Sequence, residues 1–129
     1  MAYKYFVPAI SWGLLILIAI SMPPDKVPDL KLLTIPNIDK LVHMGLFFVF
    51  AFLACFGFFR QNDAGIMHKR FELFSFLVSL IFSLSTEVFQ HLFIALRTAS
   101  ILDFLANLLG TVFGIIVFGI VLRIKSKKN

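Results

Sequence analysis

Four long apolar runs leave this chain few ways to fold. The stretches Tyr5 to Pro24, Leu41 to Phe59 and Phe104 to Leu122 carry no formal charge, and a further run from about Phe71 to Phe93 holds Glu87 and His91. A helix needs about 20 apolar residues to cross a bilayer, so each run is long enough. The runs are continuous and do not alternate polar with apolar, which favours helices over a membrane barrel. The expected fold is all-α, an integral membrane bundle of four transmembrane helices at about 5–22, 40–59, 71–93 and 103–123. These form a single membrane domain over residues 1–129. Composition agrees: 60% of residues are hydrophobic, 17 are Phe and only 15% are charged, against about a quarter charged in soluble domains.

The first run could also be read as a secretory signal, with Ala19 and Ser21 as a small-residue cleavage pair. Its basic leader is only Lys4 and its apolar core is long, so the segment is expected to remain as a helix. The lone cysteine, Cys55, lies inside an apolar run and reads as a small buried hydrophobe.

The net charge of +5 comes from short basic pieces between apolar runs. That pattern fits membrane-flanking loops, and no nucleic-acid-binding motif accompanies it. Lys4, Arg60, Lys69, Arg70, Arg123, Lys125, Lys127 and Lys128 fall on one side of the membrane, and Lys26, Lys31, Lys40 and Arg97 on the other. The side richer in Lys and Arg is expected to be cytoplasmic. Both termini are therefore expected on the cytoplasmic side of the membrane. The Pro-rich connection from Met22 to Lys40 and the connection holding Arg97 are expected to face outward. Within the first of these, Val27 to Ile35 is mildly amphipathic and suits the membrane surface.

Polar side chains in apolar helices are costly and call for a reason. Three clusters occur. Asp39, Lys40 and His43 open the second helix, and Asp39 and His43 share a face at a spacing of four. Glu87, Gln90 and His91 share a face near the end of the third. Arg97, Thr98 and Ser100 precede the fourth, where Asp103, Asn107, Gly110 and Gly114 form one stripe. All three clusters belong to the outward ends of their helices and can meet in one layer.

Simpler readings exist for single residues. Asp39 and Asp103 suit helix N-termini, His43 could be a packing histidine and His91 is expected to be solvated. Gln90 could join helices by hydrogen bonding, and Gly110 with Gly114 reads as a helix-packing G-x-x-x-G. Glu87 demands a partner more strongly, with Arg97, His43 and Lys40 as candidates. No H-E-x-x-H or comparable pattern points to a metal, no phosphate loop or nucleophile elbow is present, and no cofactor is expected.

Taken together, Asp39-Lys40 with His43, Glu87 with Gln90, Arg97, and Asp103 with Asn107 and Gly110 resemble the VanZ-like family of bacterial membrane proteins. The likeness covers roughly residues 21–114 and matches that family's pattern in order and spacing. It departs where a Pro-Gly pair often precedes the Arg, since Ala95-Leu96 stands here. The resemblance implies a cell-envelope protein, and the family's namesake is associated with teicoplanin resistance.

The leading expectation is an outward-facing polar pocket that binds a membrane lipid headgroup or a lipid-linked cell-wall precursor. Asp39, Lys40, His43, Glu87, Gln90, Arg97, Asp103 and Asn107 would line it, with Lys40 and Arg97 on an anion. The alternatives are a membrane-embedded hydrolase or transferase using Glu87 and His43 as acid and base, and a polar layer that only assembles helices.

Overall fold

The computed structural model describes residues 2–22, 35–61, 64–94 and 100–129. A short 3-10 turn, Ala2–Phe6, leads into α1, Val7–Ser21, whose Pro8 sits in the first turn where no amide donor is needed. The other helices are α2, Ile38–Arg60; α3, Ile66–Lys69; α4, Phe71–Phe93; and α5, Ile101–Lys127. No strand occurs among the described residues. Four helical stretches are long and apolar enough to cross a membrane: Ala2–Ser21, Ile38–Arg60, Phe71–Phe93 and Ile101–Lys127.

The helix limits differ from the sequence expectation at their ends. α2 begins at Ile38 because Asn37 adopts a left-handed backbone, with φ 63°, just after Pro36. Asn tolerates that region better than most residues. α5 runs on through Arg123 and Lys125 to Lys127, since Lys and Arg are good helix formers once past the apolar zone. The connection between α2 and α4 contains the single turn α3. The amphipathic stretch expected between Val27 and Ile35 falls almost wholly outside the described residues.

α2 is the central helix and touches every other one. Its buried face includes Ala51, Ala54, Cys55 and Gly57, small residues that let neighbours approach closely. α1 runs antiparallel to it: the Phe6 ring packs on Phe58 with centroids 5.0 Å apart, and the Trp12 indole donates to the Leu46 carbonyl at 2.9 Å. Phe47 and Phe50 meet Phe82 of α4, with centroids 5.7 Å and 4.8 Å from it.

α5 lies parallel to α2. Gly110 faces the Met44 carbonyl and Gly114 the Phe48 carbonyl, each so close that a Cβ would collide with the oxygen. The G-x-x-x-G is thus a backbone-to-backbone contact within the chain. Farther along, Phe52 and Phe118 stack edge to face at 5.2 Å. The antiparallel and parallel pairings put residues 2–6, Arg60 and Arg123 at one end of the bundle. Lys40, Gln90 and Asp103 lie at the other.

α4 has its polarity inside out. Ser75, Ser79, Ser83, Thr86, Glu87 and Gln90 are buried, while Leu73, Leu77, Ile81, Leu84 and Val88 are exposed. In water this would be an unstable choice. In a bilayer the exposed apolar face meets lipid, and on the polar face Ser83 and Glu87 bond to residues at the start of α5.

Candidate functional site

The polar residues at the second end fall into three linked groups. The deepest joins α2, α5 and α4. His43 Nδ1 lies 3.1 Å from Asn107 Oδ1, and Asn107 Nδ2 donates to Ser83 Oγ at 2.9 Å. An amide oxygen only accepts, so this pairing places the imidazole proton on Nδ1. Asn107 is fully buried and His43 nearly so. Thr86 extends the group by donating to the Ser83 carbonyl at 2.8 Å.

The second group is built on the start of α5. Ser100 is the N-cap, and its Oγ accepts from the Asp103 amide at 3.3 Å. This is the first half of a capping box. In the usual second half, the carboxylate three residues on would accept the cap residue's own amide. Here the Ser100 amide instead donates to Glu87 Oε2 of α4 at 3.3 Å. Glu87 therefore closes the box from another helix, and its charge sits at the positive end of the α5 dipole. That gives a buried carboxylate a physical reason to remain in the bundle.

The substitution leaves the Asp103 side chain for the third group. Lys40 Nζ lies 3.1 Å from Asp39 Oδ2 and 3.8 Å from Asp103 Oδ1. The Lys40 side chain is 29% exposed and that of Asp39 is 59% exposed, so this group forms the mouth of the site. Asp103 is therefore no cap; it faces Lys40. Asp39 sits in the first turn of α2, where a carboxylate is favoured.

Gln90 is buried beside Glu87, and among the described residues its Nε2 has no hydrogen-bond partner. Arg97 lies outside the described residues. His91 is exposed. Among the described residues, no three His, Cys, Asp or Glu side chains converge as a metal site would require.

The sequence reading missed Ser83, which receives the Asn107 amide, and the row it belongs to. Ser75, Ser79, Ser83 and Glu87 follow one another at intervals of four. That spacing was the available signal, since it marks one helix face. Trp12, a partner for the Leu46 carbonyl, was also missed.

Chemically, the arrangement offers a cation flanked by two carboxylates at the boundary. Beneath it is an imidazole fixed by an amide, with a third carboxylate held by a backbone N–H. It can bind a polar group presented at the membrane surface. The chain matches the family model described as VanZ/LLP1 over residues 5–122. No curated protein and no solved structure matches it.

Proposed function

The chain belongs to the VanZ/LLP1 family, and on that premise we propose that it is a cell-envelope membrane protein binding the phosphate-bearing headgroup of a lipid or lipid-linked cell-wall precursor. The observation that carries this reading is the mouth formed by Lys40 and Asp103. It joins α2 to α5 at the same end as the buried His43, Asn107 and Glu87. Ionisable groups placed in a membrane bundle mark functional sites by default. Lys40 supplies the phosphate contact, and Arg97 is the second cation assigned from the family-like motif. The charge asymmetry of the loops supports an outward position for this end, on the far side of a bacterial cytoplasmic membrane.

The reading is tested by adding lipids to the purified chain in detergent and following thermal stability. A polyprenyl phosphate or a phospholipid should raise the melting temperature of the wild type but not of Lys40→Ala. Equal shifts in both proteins would contradict it. Through its namesake, the proposal extends to teicoplanin-type resistance. Expression in a susceptible host should raise the tolerated teicoplanin concentration, and Lys40→Ala should abolish the gain.

The oriented imidazole favours a second reading, a hydrolase or transferase on a lipid-linked substrate. His43 is held by Asn107 much as a general base is held by an orienting partner. Turnover of such a substrate, lost in His43→Gln and Glu87→Gln with unchanged melting temperature, would favour it over binding alone.

A further inference from the structure

A lateral cleft of about 490 Å³ opens between α2 and α5 directly below Lys40. Its mouth is formed by Asn37 and Lys40, and Leu41, Met44, Leu102, Leu105, Ala106 and Leu109 line the rest. The volume falls within the range of about 300–1,000 Å³ typical of ligand sites. From Asn37 to Met44, and again from Leu102 to Leu109, the walls descend about 10 Å along the helices. Leu41, Leu102, Leu105 and Leu109 are each about half exposed, whereas Ala106 is buried and forms the floor. The cleft therefore faces lipid along its side and meets charge only at its top.

The charges at that top restrict the occupant. Lys40 supplies one positive charge, and Asp39 and Asp103 supply two negative ones. A headgroup that is purely anionic would meet two carboxylates around a single cation. A headgroup with both a phosphodiester and a primary ammonium adds no net charge and serves all three side chains. Its phosphate takes Lys40, and its N–H donors take the carboxylates. Two further observations fit. Asp103 Oδ1 is buried and accepts no hydrogen bond among the described residues, with Lys40 Nζ 3.8 Å away. Asn37 is exposed at the mouth, and its side chain makes no capping bond with α2.

We propose that this cleft holds one acyl chain of a zwitterionic aminophospholipid, with the phosphate at Lys40 and the ammonium between Asp103 and Asp39. This deepens the headgroup-site reading and rests on it. Another cleft, about 390 Å³ between α1, α2 and α4, is lined by apolar residues such as Phe6, Leu14 and Phe82. It has no polar side chain to select a headgroup.

The test uses the full chain in a phosphorus-free detergent. It is offered phosphatidylethanolamine, phosphatidylcholine and phosphatidylglycerol with identical acyl chains, and retained lipid is counted by native mass spectrometry. The wild type should retain phosphatidylethanolamine several-fold over the other two. Asp103→Asn should erase that preference. Ala106→Phe, which fills the floor, should lower retention of all three several-fold. Should Ala106→Phe fail to fold, Asp103→Asn and Lys40→Gln decide the matter. Equal retention of the three lipids by the wild type overturns the aminophospholipid assignment, as does a preference that survives Asp103→Asn. If Lys40→Gln still loses lipid in that case, the headgroup-site reading stands without it. If Lys40→Gln retains lipid as the wild type does, both fall.

Discussion

Gly110 packs against the carbonyl oxygen of Met44 with no room for a side chain between them. This contact, repeated four residues on by Gly114 and Phe48, sets how closely α5 approaches α2. It also fixes the register that brings Asn107 to His43 and Asp103 to Lys40. Helix packing and site assembly are thus the same event in this chain.

The first prediction follows directly. Gly110→Ala and Gly114→Ala force the two backbones apart, at a cost of about 1–3 kcal/mol each for overpacking a close contact. Gly119→Ala meets nothing within 4 Å and should be neutral or stabilising by up to about 1 kcal/mol, because glycine is the weaker helix former. Thermal melts in detergent separate the two outcomes. Equal melting temperatures for all three variants would refute the packing account.

A second prediction concerns the hydroxyl row. Ser83 accepts from Asn107, whereas the Ser79 Oγ has no hydrogen-bond partner among the described residues. Ser83→Ala should therefore cost about 0.6 kcal/mol, the mean for interhelical hydrogen bonds in membranes. Ser79→Ala should cost less, or stabilise, because it removes an unsatisfied hydroxyl. Unfolding titrations in mixed micelles read the difference.

The His43–Asn107–Ser83 chain gives a third. Asn107→Ala leaves two buried polar partners and should cost about 1–3 kcal/mol. A double-mutant cycle with Ser83→Ala should show coupling, since the second change removes a bond already lost. Strict additivity would mean that the amide does not bridge the two helices.

Orientation is the subject of the fourth. Cys55 is buried, so the native thiol gives a quiet background. A cysteine placed at Lys31 should react with a membrane-impermeant reagent in intact cells, and one at Lys125 only after lysis. The reverse pattern would turn the Lys40 mouth toward the cytoplasm.

The four helices were legible because uninterrupted apolar runs of this length have few alternatives in water or lipid. Much of the site's layout was legible too, since Asp39, His43, Glu87, Asp103 and Asn107 interrupt that pattern at intervals matching one helix face. Three features were not. Ser75, Ser79 and Ser83 barely lower the hydropathy of α4, so the inward face of that helix passes as ordinary membrane sequence. The exchange at the α5 N-terminus, where Glu87 takes the place of the usual Asp103 contact, depends on the approach of a distant helix. The pairing of His43 with Asn107 is likewise set by the glycine register, whereas the sequence offered His43 only as a partner for Glu87.

The central claim is that a lipid phosphate sits at Lys40. It is most directly tested by ³¹P–¹⁵N dipolar recoupling on frozen, lysine-labelled protein in phosphorus-free detergent, where the only phosphorus is that of retained lipid. The account predicts dephasing at the Lys40 Nζ corresponding to a phosphorus about 4 Å away, as a direct N–H···O contact to phosphate requires, and its loss in Lys40→Gln. Retained lipid phosphorus with no dephasing at Lys40 would contradict it.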